Sequence, residues 1–269
     1  MSEITVCAQP PAAANYVGQD GLLYCGRCGT RKQVRITVPG FEGVQTCLCR
    51  CEAEALDRAR AERELEKRRD MAAQMLKQGI PGVQLSAMTF DRDERPEARA
   101  SRVARRYVEQ FAEQAARGHG LLFYGAVGAG KTFLASCIVN ALVKKGVPCL
   151  VTSMSRLGNR LFTCREDRQE KIDGLSRAKL LVLDDLGTER RTEAMDELTM
   201  NVVETRLQAG LPLIVTTNLT AAKLEAPGDI HMQRLMRRIK SVCYMIEVTG
   251  AKGPNGKIPP LNTGGGVGP

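Results

Sequence analysis

The chain has no tryptophan, and aromatic residues make up only 4% of its 269 positions. That scarcity argues against an aromatic base-stacking platform as the main activity. No apolar run approaches the roughly 20 residues a membrane-spanning helix needs. The first residues lack the basic-then-apolar pattern of a secretory signal. Both absences point to the cytoplasm and to no membrane partner. In a reducing compartment the ten cysteines argue for metal binding or burial rather than disulfides. Positive charge, in contrast, is plentiful. The formal net charge of +9 suggests a polyanionic partner, and nucleic acid is the commonest one. A hydrophobic content of 43% supports a real core, and the length suits one α/β domain plus a smaller module.

The most informative stretch is Gly125-Ala126-Val127-Gly128-Ala129-Gly130-Lys131-Thr132, which reads G-x-x-x-x-G-K-T. The short apolar run Leu121–Tyr124 before it reads as a buried strand, and residues from Phe133 to Val143 read as a helix. Strand, glycine loop and helix are what triphosphate binding requires. Glycines let backbone N–H groups curl around phosphate oxygens, and the helix N-terminus adds a favourable dipole. Gly125, Gly128, Ala129 and Gly130 would form the cradle. Lys131 would reach the β- and γ-phosphates of ATP, and the Thr132 hydroxyl would ligate Mg²⁺.

A partner motif follows. Lys179-Leu180-Leu181-Val182-Leu183-Asp184-Asp185 is an apolar strand ending in two carboxylates. Asp184 would hold the hydration shell of Mg²⁺, and Asp185 would polarise the attacking water. Many ATPases place Glu at the second position. Asp is one methylene shorter, so hydrolysis is expected to be slow or to need a partner. Leu213 to Asn218 is another buried strand with a polar end, which would bring Asn218 beside the γ-phosphate. Met232 to Lys240 reads as a basic helix and Ser241 to Val248 as the last strand. Basic residues outnumber acidic ones over 221–258, and an arginine on such a helix can reach a neighbouring subunit's γ-phosphate in trans. Upstream, Ala98 to Ala116 reads as one helix leading into the first strand of this core. Pro148 to Thr152 reads as its second strand, followed by a charged helical stretch over Met154 to Ser176.

The N-terminal region is different. Cys25-Gly26-Arg27-Cys28 has C-x-x-C spacing, and Cys47, Cys49 and Cys51 follow about 20 residues later, a separation that suits a structural Zn²⁺ site. Between them, Gln33 to Val38 alternates like a strand and Pro39-Gly40 makes a turn. Five cysteines compete for four places; Cys25, Cys28, Cys49 and Cys51 are the favoured ligands, with Cys47 spare. A redox pair at Cys25 and Cys28 is the rival, disfavoured because no thioredoxin-like βαβ pattern surrounds it. Cys137, Cys149 and Cys243 sit in apolar segments and read as core residues.

The expected organisation is therefore a cysteine-rich module over 1–51, a charged helix and linker over 52–85, an ATPase domain over 86–252 and a disordered Gly/Pro tail over 253–269. Acidic and basic residues balance within Glu52–Lys77. Its thin apolar stripe (Ala55, Leu56, Ala59, Leu65, Ala72, Met75, Leu76) suits either docking on a partner or a solvated connector. Gly79 to Gly82 would end the helix.

The order F-Y-G-A-V-G-A-G-K-T, L-L-V-L-D-D-L-G, I-V-T-T-N-L and R-L-M-R-R-I-K resembles the AAA+ ATPases of the DnaC/DnaI helicase-loader type, which in turn resemble the IstB transposition helpers. The similarity spans Met88 to Gly250. It implies an α/β fold with a central parallel sheet flanked by helices and a hydrolysis site completed between subunits. It matches Lys131 and Thr132 to Walker A, Asp184 and Asp185 to Walker B, Asn218 to sensor 1 and Arg238 to the arginine finger, with Arg234 one turn earlier. It further implies a replicative DNA helicase and single-stranded DNA as partners and self-association through the core. It also implies that the helical segment after the second strand can touch single-stranded DNA, and here that segment carries Arg156, Arg160, Arg165 and Arg168, any of which could meet phosphates. The sequence departs from the wider family in lacking a convincing sensor 2 arginine and room for a helical lid.

Overall fold

The computed structural model describes residues 14–77, 87–162, 172, 174–187, 192–226 and 228–250. The expected helix stop at 79–82, the tail at 253–269, Cys7, Cys164, Arg165, Arg168 and the Arg160 side chain lie outside the described residues. The chain divides into two compact units, Met1–Glu66 and Lys67–Pro269.

In the first unit, β1 (Tyr16–Val17) pairs antiparallel with β2 (Leu23–Tyr24). Strand β3 (Gln33–Val38) turns at Pro39-Gly40 and pairs with β4 (Phe41–Thr46). Sequence pattern reveals β3 but not β4. Phe41 and Val44 are the only large apolar residues of β4, and they stand three apart rather than two, so the strand period is hidden. From residue 14 to 49, only Leu22, Cys25 and Cys49 are buried. Helix α1 runs over Arg50–Lys77, starting before the expected Glu52. The reason is local: the Glu52 carboxylate accepts the Cys49 N–H at 3.1 Å, occupying a donor that the first helical turn would leave open. Lys32 holds the same carboxylate at 2.6 Å. Leu56 and Leu65 of the apolar stripe remain exposed; past Glu66 the helix belongs to the second unit, where Ala72 is buried and Leu76 packs into that unit's own core. Arg69 Nε donates to the carbonyl of Lys144.

The second unit is built on five parallel strands in the order β6-β7-β8-β5-β9. They are β5 (Gly120–Tyr124), β6 (Cys149–Thr152), β7 (Leu180–Leu186), β8 (Leu213–Thr217) and β9 (Cys243–Glu247). Both faces are covered, so the strands read as continuous apolar runs. Leu121 and Phe123 of β5, Val182 of β7 and Ile214 of β8 face α2 (Arg99–Glu109), α3 (Phe111–Ala116) and α4 (Lys131–Lys144). Leu122, Leu181, Leu183 and Val215 face the other way. They meet α5 (Met154–Phe162), α6 (Glu193–Gln208), α7 (Ala221–Glu225) and α8 (Ile230–Val242). Gly120 begins β5 because a Cβ there would lie 1.7 Å from the Leu213 carbonyl oxygen.

Further boundaries differ from the sequence reading. The helix expected over Ala98–Ala116 is divided at Gln110, where φ −96° and ψ 14° leave helical geometry; Phe111 meets the Tyr107 ring edge-on at 5.9 Å. The last strand starts at Cys243, not Ser241. Ser241 closes α8 instead, its hydroxyl donating to the Arg238 carbonyl at 2.7 Å. Of the stretch expected to be helical over Met154 to Ser176, α5 covers Met154–Phe162, Ile172 and Gly174 are helical, and a 3-10 turn takes Leu175–Arg177; residues 163–171 and 173 lie outside the described residues.

Arg206 is wholly buried on α6. Its guanidinium donates to the carbonyls of Leu175 (3.1 Å), Ala178 (2.7 Å), Lys179 (3.4 Å) and Pro212 (2.7 Å). It thereby ties down the starts of β7 and β8. Burial pulls its pKa down to about 10, which still leaves it charged at neutral pH. Arg206→Leu would strand several buried carbonyls, each worth about 1–3 kcal/mol. A loss of about 3 kcal/mol is expected, or roughly 6–12 °C in Tm for a domain of this size. An unchanged melting curve by circular dichroism would disprove this role.

Candidate ATP-binding site

The site lies at the carboxyl ends of the parallel strands, where the doubly wound topology opens a crevice. The glycine loop leaves β5 and enters α4. Gly125 has φ +136°, and a Cβ on it would come within 2.4 Å of the Val248 carbonyl. Gly128 (φ +76°) and Gly130 (φ +101°) also have backbone that side chains rarely adopt. The loop tip is open, with Val127 82% exposed. Lys131 opens α4 and is buried. Its ammonium donates to the carbonyls of Gly125 (3.0 Å) and Ala126 (2.8 Å). Burial lowers its pKa, while Asp185 and Asp184 pull the other way.

Thr132 Oγ1 donates to Asp184 Oδ1 at 2.8 Å, so loop and β7 meet through one hydroxyl and one carboxylate. Those are hard oxygen donors of the kind Mg²⁺ takes, and with the lysine and the glycine cradle they fit a Mg²⁺-nucleotide. Asn218 Nδ2 donates to Asp185 Oδ1 at 2.6 Å. The structure thus brings Lys131, Thr132, Asp184, Asp185 and Asn218 to one end of the sheet. Arg238 is placed apart from this contact network. It is exposed on α8 and paired with Glu204 at 3.5 Å; Arg234 is exposed on the same helix.

Two contributors escaped the sequence reading. Thr216 Oγ1 donates to Asp184 Oδ1 at 2.7 Å and accepts the Asp185 N–H at 2.8 Å. Arg95 donates to the Ala129 carbonyl at 2.9 Å and to the Thr249 carbonyl, joining the loop to the chain just beyond β9. Thr216 lies inside an apolar strand that carries no local sign of the role. Nothing in the sequence marks Arg95.

In the N-terminal unit, the sulfurs of Cys25, Cys28, Cys49 and Cys51 all lie within 4.8 Å of one another. Cys25 and Cys51 are 3.6 Å apart, Cys49 and Cys51 3.2 Å. Four thiolates about 2.3 Å from a tetrahedral Zn²⁺ stand roughly 3.8 Å apart, so the cluster fits that ion. Cys47 is turned away, its thiol 3.7 Å from the Arg31 carbonyl. The Thr30 hydroxyl, 3.0 Å from Cys28 Sγ, leads the contacts that bring that thiol down to about 5, whereas burial and the neighbouring Cys51 thiol push Cys49 up to about 12. The remaining described cysteines, Cys137, Cys149 and Cys243, are buried, and burial pushes each thiol up to about 12.

No described helix is long and apolar enough to cross a membrane. Comparison with known proteins agrees with this geometry. The chain is 27% identical over 146 residues to the replicative helicase loader DnaI of Bacillus subtilis, covering 50% of this chain and 47% of that protein. It is 27% identical over 141 residues to the replicative helicase loader DnaC of Escherichia coli K12, covering 51% and 55%. The chain thus spans about half the length of the curated relatives it matches. A crystal structure of the DnaC helicase loader superposes with a TM-score of 0.54 at 23% identity, over 62% of this chain and all of that one, a likeness of fold. The model of the IstB-like ATP binding proteins matches residues 52–252, and with that span this chain belongs to the IstB-like ATP-binding family.

Proposed function

We propose that the chain is an ATP-dependent loader of a replicative DNA helicase onto single-stranded DNA. The observation that carries this reading is the meeting of Lys131, Thr132, Asp184, Asp185 and Asn218 at one end of a sheet whose relatives are helicase loaders. Residues 1–51 would form a zinc module that binds the helicase, residues 52–85 a charged helix and linker, and residues 86–252 the ATPase core that grips single-stranded DNA and associates side by side. Residues 253–269 would be a Gly/Pro-rich tail.

Within the site each residue has a physical task. Gly125, Gly128, Ala129 and Gly130 shape the cradle, and Lys131 moves its ammonium from loop carbonyls to phosphate oxygens. Thr132 and Asp184 would hold Mg²⁺, which supplies charge neutralisation at the phosphates when bound. Asp185, held by Asn218, orients and deprotonates the attacking water. Arg238 would leave Glu204 to reach the γ-phosphate of a neighbouring subunit. On α5, Arg156 stands ready for DNA phosphates.

The family match itself favours a second reading, an IstB-like transposition helper that acts on duplex DNA. A third is an adaptor that binds ATP without hydrolysing it. Co-elution with the host's replicative helicase on a sizing column, with ATP present, separates them. The loader reading expects a stable complex, lost when residues 1–66, the first compact unit, are removed. Absence of a complex with zinc and ATP binding intact, together with tight duplex binding, would move the assignment to the transposition helper. ATP turnover that stays at zero with helicase and single-stranded DNA present would support the adaptor.

A further inference from the structure

Asp184 and Asp185 are neighbours in a strand, and neighbouring strand residues ordinarily point to opposite faces of a sheet. Both carboxylates nevertheless serve one site, and the β7–β8 ladder shows how. Leu183 pairs with Val215, and the next pair is Leu186 with Thr217. Three steps on β7 thus match two on β8, the signature of a bulge with one extra residue. The extra step is taken at Asp185, whose φ of +59° makes it the one non-glycine residue in the left-handed region among the described residues. Aspartate tolerates that region better than most residues, though at a cost. The bulge turns the second carboxylate back towards the nucleotide crevice.

A bulge has a price: the N–H of the extra residue loses its place in the ladder. Here the Asp185 N–H is taken by Thr216 Oγ1 at 2.8 Å. The same hydroxyl sends its own proton to Asp184 Oδ1 at 2.7 Å. One buried hydroxyl therefore satisfies the bulged backbone and fixes the first carboxylate. Thr216 is 1% exposed, so neither bond competes with bulk water. Two residues later, just past the end of β8, Asn218 fixes the second carboxylate through Asp185 Oδ1. Asp184 Oδ1 receives two hydroxyl protons, from Thr132 on the loop side and from Thr216 on the strand side. The Thr132 hydroxyl is the one committed to Mg²⁺ in the proposed mechanism. Thr216 is then what holds Asp184 in place.

We infer that Thr216 is the positioning residue of this ATP site, locking the β7 bulge so that Asp184 and Asp185 both face the bound Mg²⁺-nucleotide. This rests on the ATPase reading of the site, and the experiment tells the two apart. Mg²⁺ is titrated into the full-length protein with a fluorescent ATP analogue, and analogue affinity is measured separately in EDTA. Thr216→Val keeps the side-chain shape and deletes the hydroxyl. It is expected to raise the half-saturating Mg²⁺ concentration about tenfold, the lower end of what losing a group behind a metal ligand costs. Affinity in EDTA stays at the wild-type value, because Lys131 and the loop are untouched. Thr216→Ser restores the wild-type Mg²⁺ titration, and hydrolysis follows the same order.

A Thr216→Val protein that titrates like wild type overturns the inference. So does a Ser variant as weak as Val, which would make the position one of packing. If the Val variant lacks the wild-type circular dichroism spectrum, Thr216→Ala replaces it in the same titration with the same two readings. Wild-type binding that ignores Mg²⁺ altogether sinks the ATPase reading of the site, and this inference with it.

Discussion

Lys131→Ala is expected to abolish nucleotide binding while leaving the fold intact. The ammonium sits on two loop carbonyls at the mouth of a helix that would receive phosphate, and hydrogen bonds to charged groups are worth about 1.5–3 kcal/mol each. Losing about 3 kcal/mol at the phosphates weakens binding at least roughly a hundredfold. Without nucleotide the same change should do little, because the lysine is a buried cation whose pKa burial already depresses. The two effects separate cleanly in a thermal melt. A ligand at about 100 times its Kd stabilises by about 2.7 kcal/mol, or roughly 5–11 °C for a domain of this size. The wild type should show that rise with Mg²⁺-ATP, and Lys131→Ala should not. A variant that melts higher with ATP by the full wild-type amount would remove Lys131 from the site.

That site could be read from sequence because its chemistry is local. Glycine, lysine and threonine fall within one loop, and β5, β7 and β8 read as buried strands because helices cover both of their faces. The carboxylate pair was visible for the same reason, as charge at the end of an apolar run. Hidden from view were the features that arise only when strands meet. The bulge at Asp185 is a mismatch in register between β7 and β8, and neither strand carries it alone. No glycine marks the positive φ. Thr216 looks like any β-former, and its importance comes from what lies across the ladder. Arg95 and Arg206 were missed likewise, since their partners are backbone carbonyls distant in sequence.

In the N-terminal unit, the C-x-x-C spacing points to Cys25 and Cys28, but spacing alone leaves three cysteines for two places. Geometry separates them: Cys49 precedes α1 and Cys51 lies in its first turn, so the helix start aims both thiols inward. Cys47 stands just beyond the end of β4 and faces the Arg31 carbonyl.

Removal of metal should unfold this unit and spare the rest. Among residues 14–49 the buried apolar side chains are Leu22 and two cysteines. Two isolated hairpins with so few buried side chains are not expected to hold on their own. A Zn²⁺ held by the four thiolates would be the main stabilising contribution of the unit. Limited proteolysis of the full-length protein with and without a chelator tests this. The untreated chain should resist cleavage over 14–49, and the chelated chain should be cut there within the earliest time points. The product should be a stable fragment that still melts higher with Mg-free nucleotide, because the glycine loop and Lys131 belong to the other unit. Cys49→Ser should behave like the chelated protein, since it removes the most deeply buried thiol of the four. Cys47→Ser should keep both protection and one equivalent of zinc, because its sulfur faces a carbonyl and not the cluster. If chelation leaves residues 14–49 protected, the four sulfurs meet without a metal and the module is held by something other than zinc. If Cys47→Ser loses the ion, the ligand set is wrong by one residue.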